Sequence, residues 1–134
     1  MLTNIKSFFE KQDRFARLLG FEIVEVREGY ARIRTQTRED YLNGADVLHG
    51  GFLFALADYA FAVASNAANN LSLAIQANIL YHKAVSGGTL YAVAHEIKNG
   101  KTIAAYEVKI YDDTDNLLAT FTGTVYRKGI EVVP

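Results

Sequence analysis

The longest apolar stretch of the chain contains a single charged residue. Residues 52–64 read FLFALADYAFAVA, and Asp58 is the only charge among them. Alanine and leucine at this density favour a helix, and a helix that is apolar on every side is normally buried. The residues one helical turn away from Asp58 on the same helix cannot pair with its carboxylate. They are Phe54, Ala55, Phe61 and Ala62. The pattern predicts a buried central helix whose one carboxylate either has a partner elsewhere or has a chemical purpose.

Amphipathic and alternating patterns lie on both sides of this stretch. Apolar residues recur three and four positions apart over residues 5–19, which predicts an amphipathic N-terminal helix that ends at Gly20. The elements predicted after it are strands at 21–28 and 30–38, a polar loop at 39–48, the central helix from Gly50 to about Asn70, and strands at 71–81, 89–98, 101–111 and 117–127.

The connections between the strands indicate how the elements assemble. Asn99-Gly100 stands between two strand patterns and is the strongest hairpin signal in the chain. The last four strands are therefore predicted to form an antiparallel meander. An apolar helix beside a long antiparallel sheet predicts an α+β fold in which the sheet wraps around the central helix and the N-terminal helix covers it. With no repeat or proline-rich linker, residues 1–134 are expected to form one domain.

Composition narrows the classes of function. The formal net charge of −1 and the pI near 6.3 give no basic footprint for nucleic acid. The chain has no cysteine and no cluster pattern of histidine and carboxylate ligands, so we expect no metal site. The N-terminus lacks the apolar region of a signal peptide, and residues 52–64 are shorter than the ~20 residues of a membrane span. We therefore expect a cytoplasmic protein without nucleic-acid or membrane partners.

Two features of the central helix are suited to chemistry. Gly50 and Gly51 begin the helix, where free N–H groups and the positive end of the helix dipole can hold an oxyanion. Asp58 follows eight residues later, roughly 12 Å along the axis, so it cannot act on the same atom within one chain. If both are catalytic, Gly50 of one subunit must face Asp58 of another, which predicts at least a homodimer. In the alternative reading, Asp58 is a structural carboxylate paired with an arginine of the sheet.

The same motifs resemble those of a known family. LNG, then HGG six residues after the Asn, then LAD with its Asp nine residues after the His, are similar to the hot-dog-fold acyl-CoA thioesterases of the phenylacetic-acid-degradation (PaaI-like) type. The resemblance extends over nearly the whole chain, including LLGFEIV and EGYARI. It implies a hot-dog fold and hydrolysis of an aryl- or medium-chain acyl-CoA to free acid and CoA. It also implies a homotetramer of two dimers and no cofactor, because CoA is part of the substrate.

The resemblance assigns a role to each motif residue. It implies that Asp58 is a general base on water or a nucleophile that forms a mixed anhydride. By the same resemblance, the N–H of Gly50 is expected to bind the thioester oxygen, and Asn43 to help position the thioester or the water. The resemblance implies that His49 mainly shapes the loop and bonds near the site. The cations expected to contact the phosphates of CoA are Lys83, Lys101, Arg127 and Lys128.

Two other functions remain open from the sequence. A hot-dog relative can be a hydratase or dehydratase acting on acyl thioesters, in which case His49 would be essential. The chain can also be a non-catalytic module that binds acyl-CoA without turnover, because fold does not fix function. The acyl group is not determined either, because its pocket depends on side chains brought together across subunits.

Overall fold

The computed structural model describes residues 1–134 as three α-helices and one six-stranded sheet. The helices are α1 (Leu2–Gln12), α2 (Arg14–Leu19) and α3 (Gly50–Asn66), with a 3₁₀ turn at Glu39–Tyr41. The strands are β1 (Glu22–Arg27), β2 (Tyr30–Gln36), β3 (Ser72–Tyr81), β4 (Thr89–Asn99), β5 (Ile103–Asp112) and β6 (Leu117–Arg127). None of the helices is long and apolar enough to cross a membrane.

The core lies between α3 and one face of the antiparallel sheet. Along β2, β4 and β5 the buried side chains alternate with less buried ones, as at Ala31 and Ile33, because successive side chains of a strand point to opposite faces. Leu56 of α3 is fully buried. Phe61 lies over Gly123 of β6, where an added Cβ would come within 2.7 Å of the ring. The predicted α+β architecture, with the sheet packed around a central helix, is confirmed.

The N-terminal segment differs from the single helix predicted over residues 5–19. Asp13 has an extended backbone (φ −84°, ψ 91°) and separates α1 from α2. Its Oδ1 accepts a hydrogen bond from the N–H of Ala16 at 3.0 Å, and Asp is among the preferred residues for capping a helix in this way. Because α2 starts anew at Asp13, Phe15 is exposed instead of lying on the buried face. Gly20, at φ 79°, ends α2 as predicted.

The predicted four-stranded meander is wrong in one strand. β4, β5 and β6 are consecutive neighbours, but β3 pairs with β6, and β2 occupies the place beside β4. Residues 82–88 therefore cross the end of the sheet from β3 to β4. At ~3.3 Å per residue this segment reaches roughly 23 Å, which exceeds three strand spacings of ~4.8 Å.

The end of α3 also differs from the prediction. The helix ends at Asn66 instead of near Asn70, because the Asn66 side chain bonds to the backbone of the next strand. Its Oδ1 accepts from the N–H of Ser72 at 2.8 Å, and its Nδ2 donates to the carbonyl oxygen of Ser72 at 3.3 Å. These two bonds fix the reversal of the chain between α3 and β3.

Strand β3 forms one edge of the sheet and is largely uncovered. Of its ten residues only Ser72 is buried. Its exposed large apolar side chains are Leu73, Ile75, Leu80 and Tyr81. A long edge strand with apolar side chains is a surface that proteins normally cover, often with another strand.

Candidate active site

The first turn of α3 leaves one backbone donor free. His49 caps the helix, because its Nδ1 accepts a hydrogen bond from the N–H of Gly51 at 2.9 Å. Its carbonyl oxygen accepts from the N–H groups of Phe52 and Leu53. The N–H of Gly50 has no partner in the chain. This donor stands at the positive end of the helix dipole, where it can bind an oxygen of a ligand.

The same hydrogen bond occupies one ring nitrogen of His49. Because Nδ1 accepts from the N–H of Gly51, the ring N–H of His49 is on Nε2. The His49 side chain therefore holds the start of α3, and only its Nε2–H remains free to donate to a ligand.

Both glycines at the start of α3 are explained by their neighbours. A Cβ on Gly50 would lie 3.1 Å from Oη of Tyr81, and a Cβ on Gly51 would lie 3.0 Å from Nδ1 of His49. Contacts this short would require the neighbouring side chain to shift. Tyr81, the last residue of β3, donates its hydroxyl to the carbonyl oxygen of Gly50 at 2.9 Å. The glycine pair thus allows two side chains to close on the first turn of the helix.

Asp58 is a half-buried carboxylate without a partner. It forms no hydrogen bond or ion pair within the chain, so no arginine of the sheet neutralises it. Burial raises the pKa of Asp58 above its ordinary value, and the nearby carboxylate of Asp13 raises it further. A carboxylate with a perturbed pKa at the wall of a cavity is a candidate catalytic group.

The cavity at Asp58 follows one side of α3. Its volume is about 240 Å³. Gly51, Phe54, Ala55 and Asp58 line it from positions that share one face of the helix. The remaining lining residues are Asp13, Phe15, Ala16, Phe21 and Tyr59. The walls are mainly apolar and the only charges are two carboxylates, so the cavity suits an uncharged apolar group and disfavours an anionic one.

Asp13 lines the same cavity as Asp58, although the sequence pattern does not single it out. The apolar spacing over residues 5–19 continues through this position, so the break between α1 and α2 was not predicted. The signal that identifies it is Asp13 itself, a preferred N-cap residue inside an apparent helix. Its capping bond brings α2 against α3 and places a second carboxylate in the cavity of Asp58.

Asn43 lies in the loop before α3 and is bonded within that loop. Its Oδ1 accepts from the N–H of Ala45 at 2.8 Å and from the N–H of Val47 at 3.4 Å. The loop is held further by the bond from the N–H of Asn43 to the carbonyl oxygen of Val47. Only the Nδ2 donors of Asn43 remain free, so any contact with a substrate from this side chain is a donated hydrogen bond.

The four basic residues expected to bind phosphate fall into two groups. Lys83 is exposed and follows Tyr81 by two residues, so it lies at the Gly50 end of α3. Lys101 and Lys128 are exposed near the opposite end of the helix. Lys101 lines a cavity there together with Ser65 of α3. The structure therefore does not bring the four predicted cations together.

The fourth basic residue, Arg127, does not fit the role of a free cation. Its side chain is 7% exposed, and all five N–H donors of its guanidinium are used. The acceptors are the carbonyl oxygens of Gly100 and Ser65, Oγ of Ser72, Oδ1 of Asn99 and Oη of Tyr106, at 3.0–3.3 Å. Glu96 lies 3.7 Å from Nη2 and supplies the countercharge. Arg127 therefore ties the end of α3 to the sheet and has no donor left for a phosphate.

Comparison with known proteins agrees with this architecture. The sequence profile of the Thioesterase superfamily matches residues 45–119. The acyl-coenzyme A thioesterase PaaI of Escherichia coli is 33% identical over 127 residues, which cover 94% of this chain and 90% of that protein. The 1,4-dihydroxy-2-naphthoyl-CoA hydrolase of Listeria monocytogenes is 32% identical over 114 residues, which cover 80% of this chain and 89% of that protein.

The solved structures show the same fold. The E. coli PaaI protein from the phenylacetic acid degradation operon superposes with a TM-score of 0.93 at 30% identity, covering 97% of this chain and 95% of that one. The hot-dog fold predicted from the LNG, HGG and LAD motifs is thereby confirmed, as is the family. The chain belongs to the thioesterase superfamily and is a PaaI-like thioester hydrolase.

Proposed function

We propose that this enzyme hydrolyses an aryl- or medium-chain acyl-CoA, with Asp58 of one subunit and the Gly50 N–H of another acting on the same thioester. One observation carries the proposal: α3 has an unpaired N–H at its start and an unpaired carboxylate eight residues later. Two relatives whose names specify CoA thioesters as substrates, the E. coli and L. monocytogenes proteins, support the substrate class.

The uncovered surface of the subunit supports the dimer. One face of α3 is only partly buried, although it belongs to the longest apolar stretch of the chain. The residues on this face are Phe54, Ala55 and Asp58. The cavity of about 240 Å³ is smaller than the ~300 Å³ of a typical small-molecule site. Edge strand β3 offers both free backbone groups and apolar side chains to a second copy. A two-fold axis at this edge completes the pocket, and the family resemblance adds a tetramer of two such dimers.

The reaction follows from these two groups. As a general base, Asp58 takes a proton from water while the water oxygen attacks the thioester carbonyl carbon. The carbonyl oxygen becomes an oxyanion held by the N–H of Gly50. Collapse of this intermediate breaks the C–S bond, and the thiolate of CoA takes up the proton that Asp58 received. As a nucleophile, Asp58 would instead form a mixed anhydride with release of CoA, and water would then hydrolyse the anhydride.

Either role requires Asp58 to be ionised. Within one subunit, burial and Asp13 both favour the protonated acid. The positive end of the helix dipole of the facing subunit favours the carboxylate. The free His49 Nε2–H and the Nδ2 donors of Asn43 are the remaining groups that can bond to the thioester or to the water.

The first test is release of CoA thiol from a panel of aryl- and alkyl-acyl-CoAs by the native enzyme and by Asp58→Asn. The chain has no cysteine, so a thiol-reactive dye has no protein background. We expect the variant to keep its fold and to lose at least ~10²-fold in kcat. Acyl-CoA binding without turnover by the native protein would contradict the proposal and favour the binding module.

The second test asks whether the site is shared between subunits. Asp58→Asn removes the carboxylate, and Gly50→Pro removes the N–H at a helix position that accepts proline. The two variants are co-expressed, and the heterodimer with one copy of each is purified through two different tags. If each site is shared between subunits, one of its two sites combines the native Gly50 of one chain with the native Asp58 of the other, so about half of the native activity should return. If each site lay within one chain, both sites would carry a lesion and no activity would return. Gly50→Ala, which keeps the N–H, is the control for the added side chain.

A further inference from the structure

Tyr81 joins the edge strand to the start of α3. Its backbone is fixed in the sheet, because Tyr81 pairs with Ala119 of β6 and the next N–H, that of His82, donates to the carbonyl oxygen of Leu118. Its hydroxyl crosses to the carbonyl oxygen of Gly50 at 2.9 Å. The bond therefore connects a rigid strand to the residue that carries the free N–H.

The peptide between Gly50 and Gly51 is held at both of its polar atoms. Its oxygen accepts from Tyr81, and its N–H donates to Nδ1 of His49 at 2.9 Å. A peptide bonded at both polar atoms cannot rotate freely, so the Cα of Gly50 is fixed on this side. The preceding peptide, which carries the Gly50 N–H, is held through its own oxygen, because the carbonyl of His49 accepts from the N–H groups of Phe52 and Leu53. The ring of Tyr81 also lies so close to Gly50 that it would be 3.2 Å from a Cβ there.

We propose that Tyr81 is a positioning residue, which holds the Gly50 N–H in the direction needed to bind the thioester oxyanion. Tyr81 does not itself touch the reacting atoms; it acts through Gly50. This inference rests on the proposed function, because it presupposes that the Gly50 N–H binds the oxyanion. Donors of this kind are effective because they are oriented before the reaction begins. β3 also carries the proposed dimer edge, so Tyr81 links the position of the oxyanion donor to the surface that faces the partner.

The test compares Tyr81→Phe with Tyr126→Phe. The first variant keeps the ring and removes only the hydroxyl that reaches Gly50. The second removes the hydroxyl of Tyr126, which is also exposed. That hydroxyl makes no hydrogen bond within the chain. Loss of a whole oxyanion donor costs about 10²- to 10³-fold in kcat, so loss of its orientation should cost about 10-fold. We expect this fall in kcat for Tyr81→Phe, with KM changed less than about 2-fold, and no change for Tyr126→Phe.

A second measurement does not depend on turnover. The ¹³C shift of the Gly50 carbonyl and the amide shifts of Gly50 and Gly51 should move in Tyr81→Phe and stay at native values in Tyr126→Phe. Unchanged shifts, or an unchanged kcat in an active enzyme, would overturn the role of Tyr81. Absence of thioester hydrolysis by the native enzyme would instead refute the proposed function. A drop in activity caused only by unfolding would appear as a lowered melting temperature and would also count against a positioning role.

Discussion

Replacement of Arg127 separates a structural role from the phosphate-binding role that the sequence suggested. In Arg127→Met the five hydrogen bonds of the guanidinium are lost, together with the countercharge for Glu96. Methionine is close enough in length to fill most of the space. The variant therefore tests mainly the polar interactions at the end of α3.

The surroundings of Arg127 set the expected size of the effect. Removing one partner of a buried ion pair typically costs about 3–5 kcal/mol. Here the cost is reduced, because two of the acceptors keep another bond: Ser65 O still accepts from Ser72 Oγ at 3.1 Å, and Tyr106 Oη still donates to Glu96 at 3.0 Å. The Glu96 side chain is also 27% exposed and can be hydrated. We expect a loss of about 2–3 kcal/mol in the free energy of unfolding.

Chemical and thermal denaturation measure this loss. A domain of this length changes its Tm by roughly 3–5 °C per kcal/mol, so Arg127→Met should melt about 10 °C below the native protein. All variants are compared at one protein concentration, because association changes apparent stability. Arg127→Lys should recover little, because one ammonium with three donors cannot reach five separate acceptors. Lys98→Gln removes an exposed positive charge and should change stability by less than about 0.5 kcal/mol.

Kinetics complete the comparison. If the role of Arg127 is structural, the KM of folded Arg127→Met for acyl-CoA should lie within about 3-fold of the native value. The reasoning fails if Arg127→Met is as stable as Lys98→Gln and its KM for acyl-CoA rises about 10-fold. That result would show that the guanidinium leaves its internal acceptors to bind a phosphate.

Three further variants test the packing and the charges near α3. Asp13→Asn keeps the helix cap and removes a negative charge. Because that charge raises the pKa of Asp58, the acidic limb of the pH–rate profile should move to lower pH in this variant. An unchanged acidic limb would contradict the coupling between the two carboxylates. Gly123→Ala places a methyl group 2.7 Å from the ring of Phe61 and should cost about 1–3 kcal/mol of unfolding free energy, with part of the loss recovered when Phe61→Leu is added. Thr35→Val replaces a buried hydroxyl that has no hydrogen-bond partner, so the variant should be about 1 kcal/mol more stable in urea denaturation. A destabilised variant would show that the Thr35 hydroxyl makes a hydrogen bond in solution.

Local patterns predicted most of the fold. The composition of residues 52–64 identified α3, and alternation with Asn99-Gly100 identified the β4–β5 hairpin, because these signals depend on neighbouring residues. The pairing of β3 with β6 depends instead on contacts between residues about 50 positions apart, as between Ser72 and Arg127. No local pattern distinguishes that order from a simple meander.

The candidate site shows the same division between local and distant information. Gly50 and Asp58 stand out because a glycine pair and a lone carboxylate are unusual within an apolar stretch. Asp13 was hidden by an uninterrupted helical period, and Tyr81 looks like any residue at the end of a strand. The basic residue Arg127 resembles an exposed cation until its acceptors are brought around it by four separate elements. Their roles follow from contacts that only the folded chain provides.

The two ends of α3 are held in different ways, and this difference supports the proposed site at the N-terminal end. At its C-terminal end, Asn66 and Arg127 are buried and bonded to the sheet, so this end is fixed by the subunit alone. At its N-terminal end, the bond that His49 accepts from Gly51 and the bond that Tyr81 donates to Gly50 are exposed to solvent, and the Gly50 N–H is unpaired. Catalysis by oriented dipoles requires water to be excluded from them. A second subunit over β3 and the uncovered face of α3 would provide that exclusion, so hydrolysis per subunit should fall when dilution separates the proposed dimer.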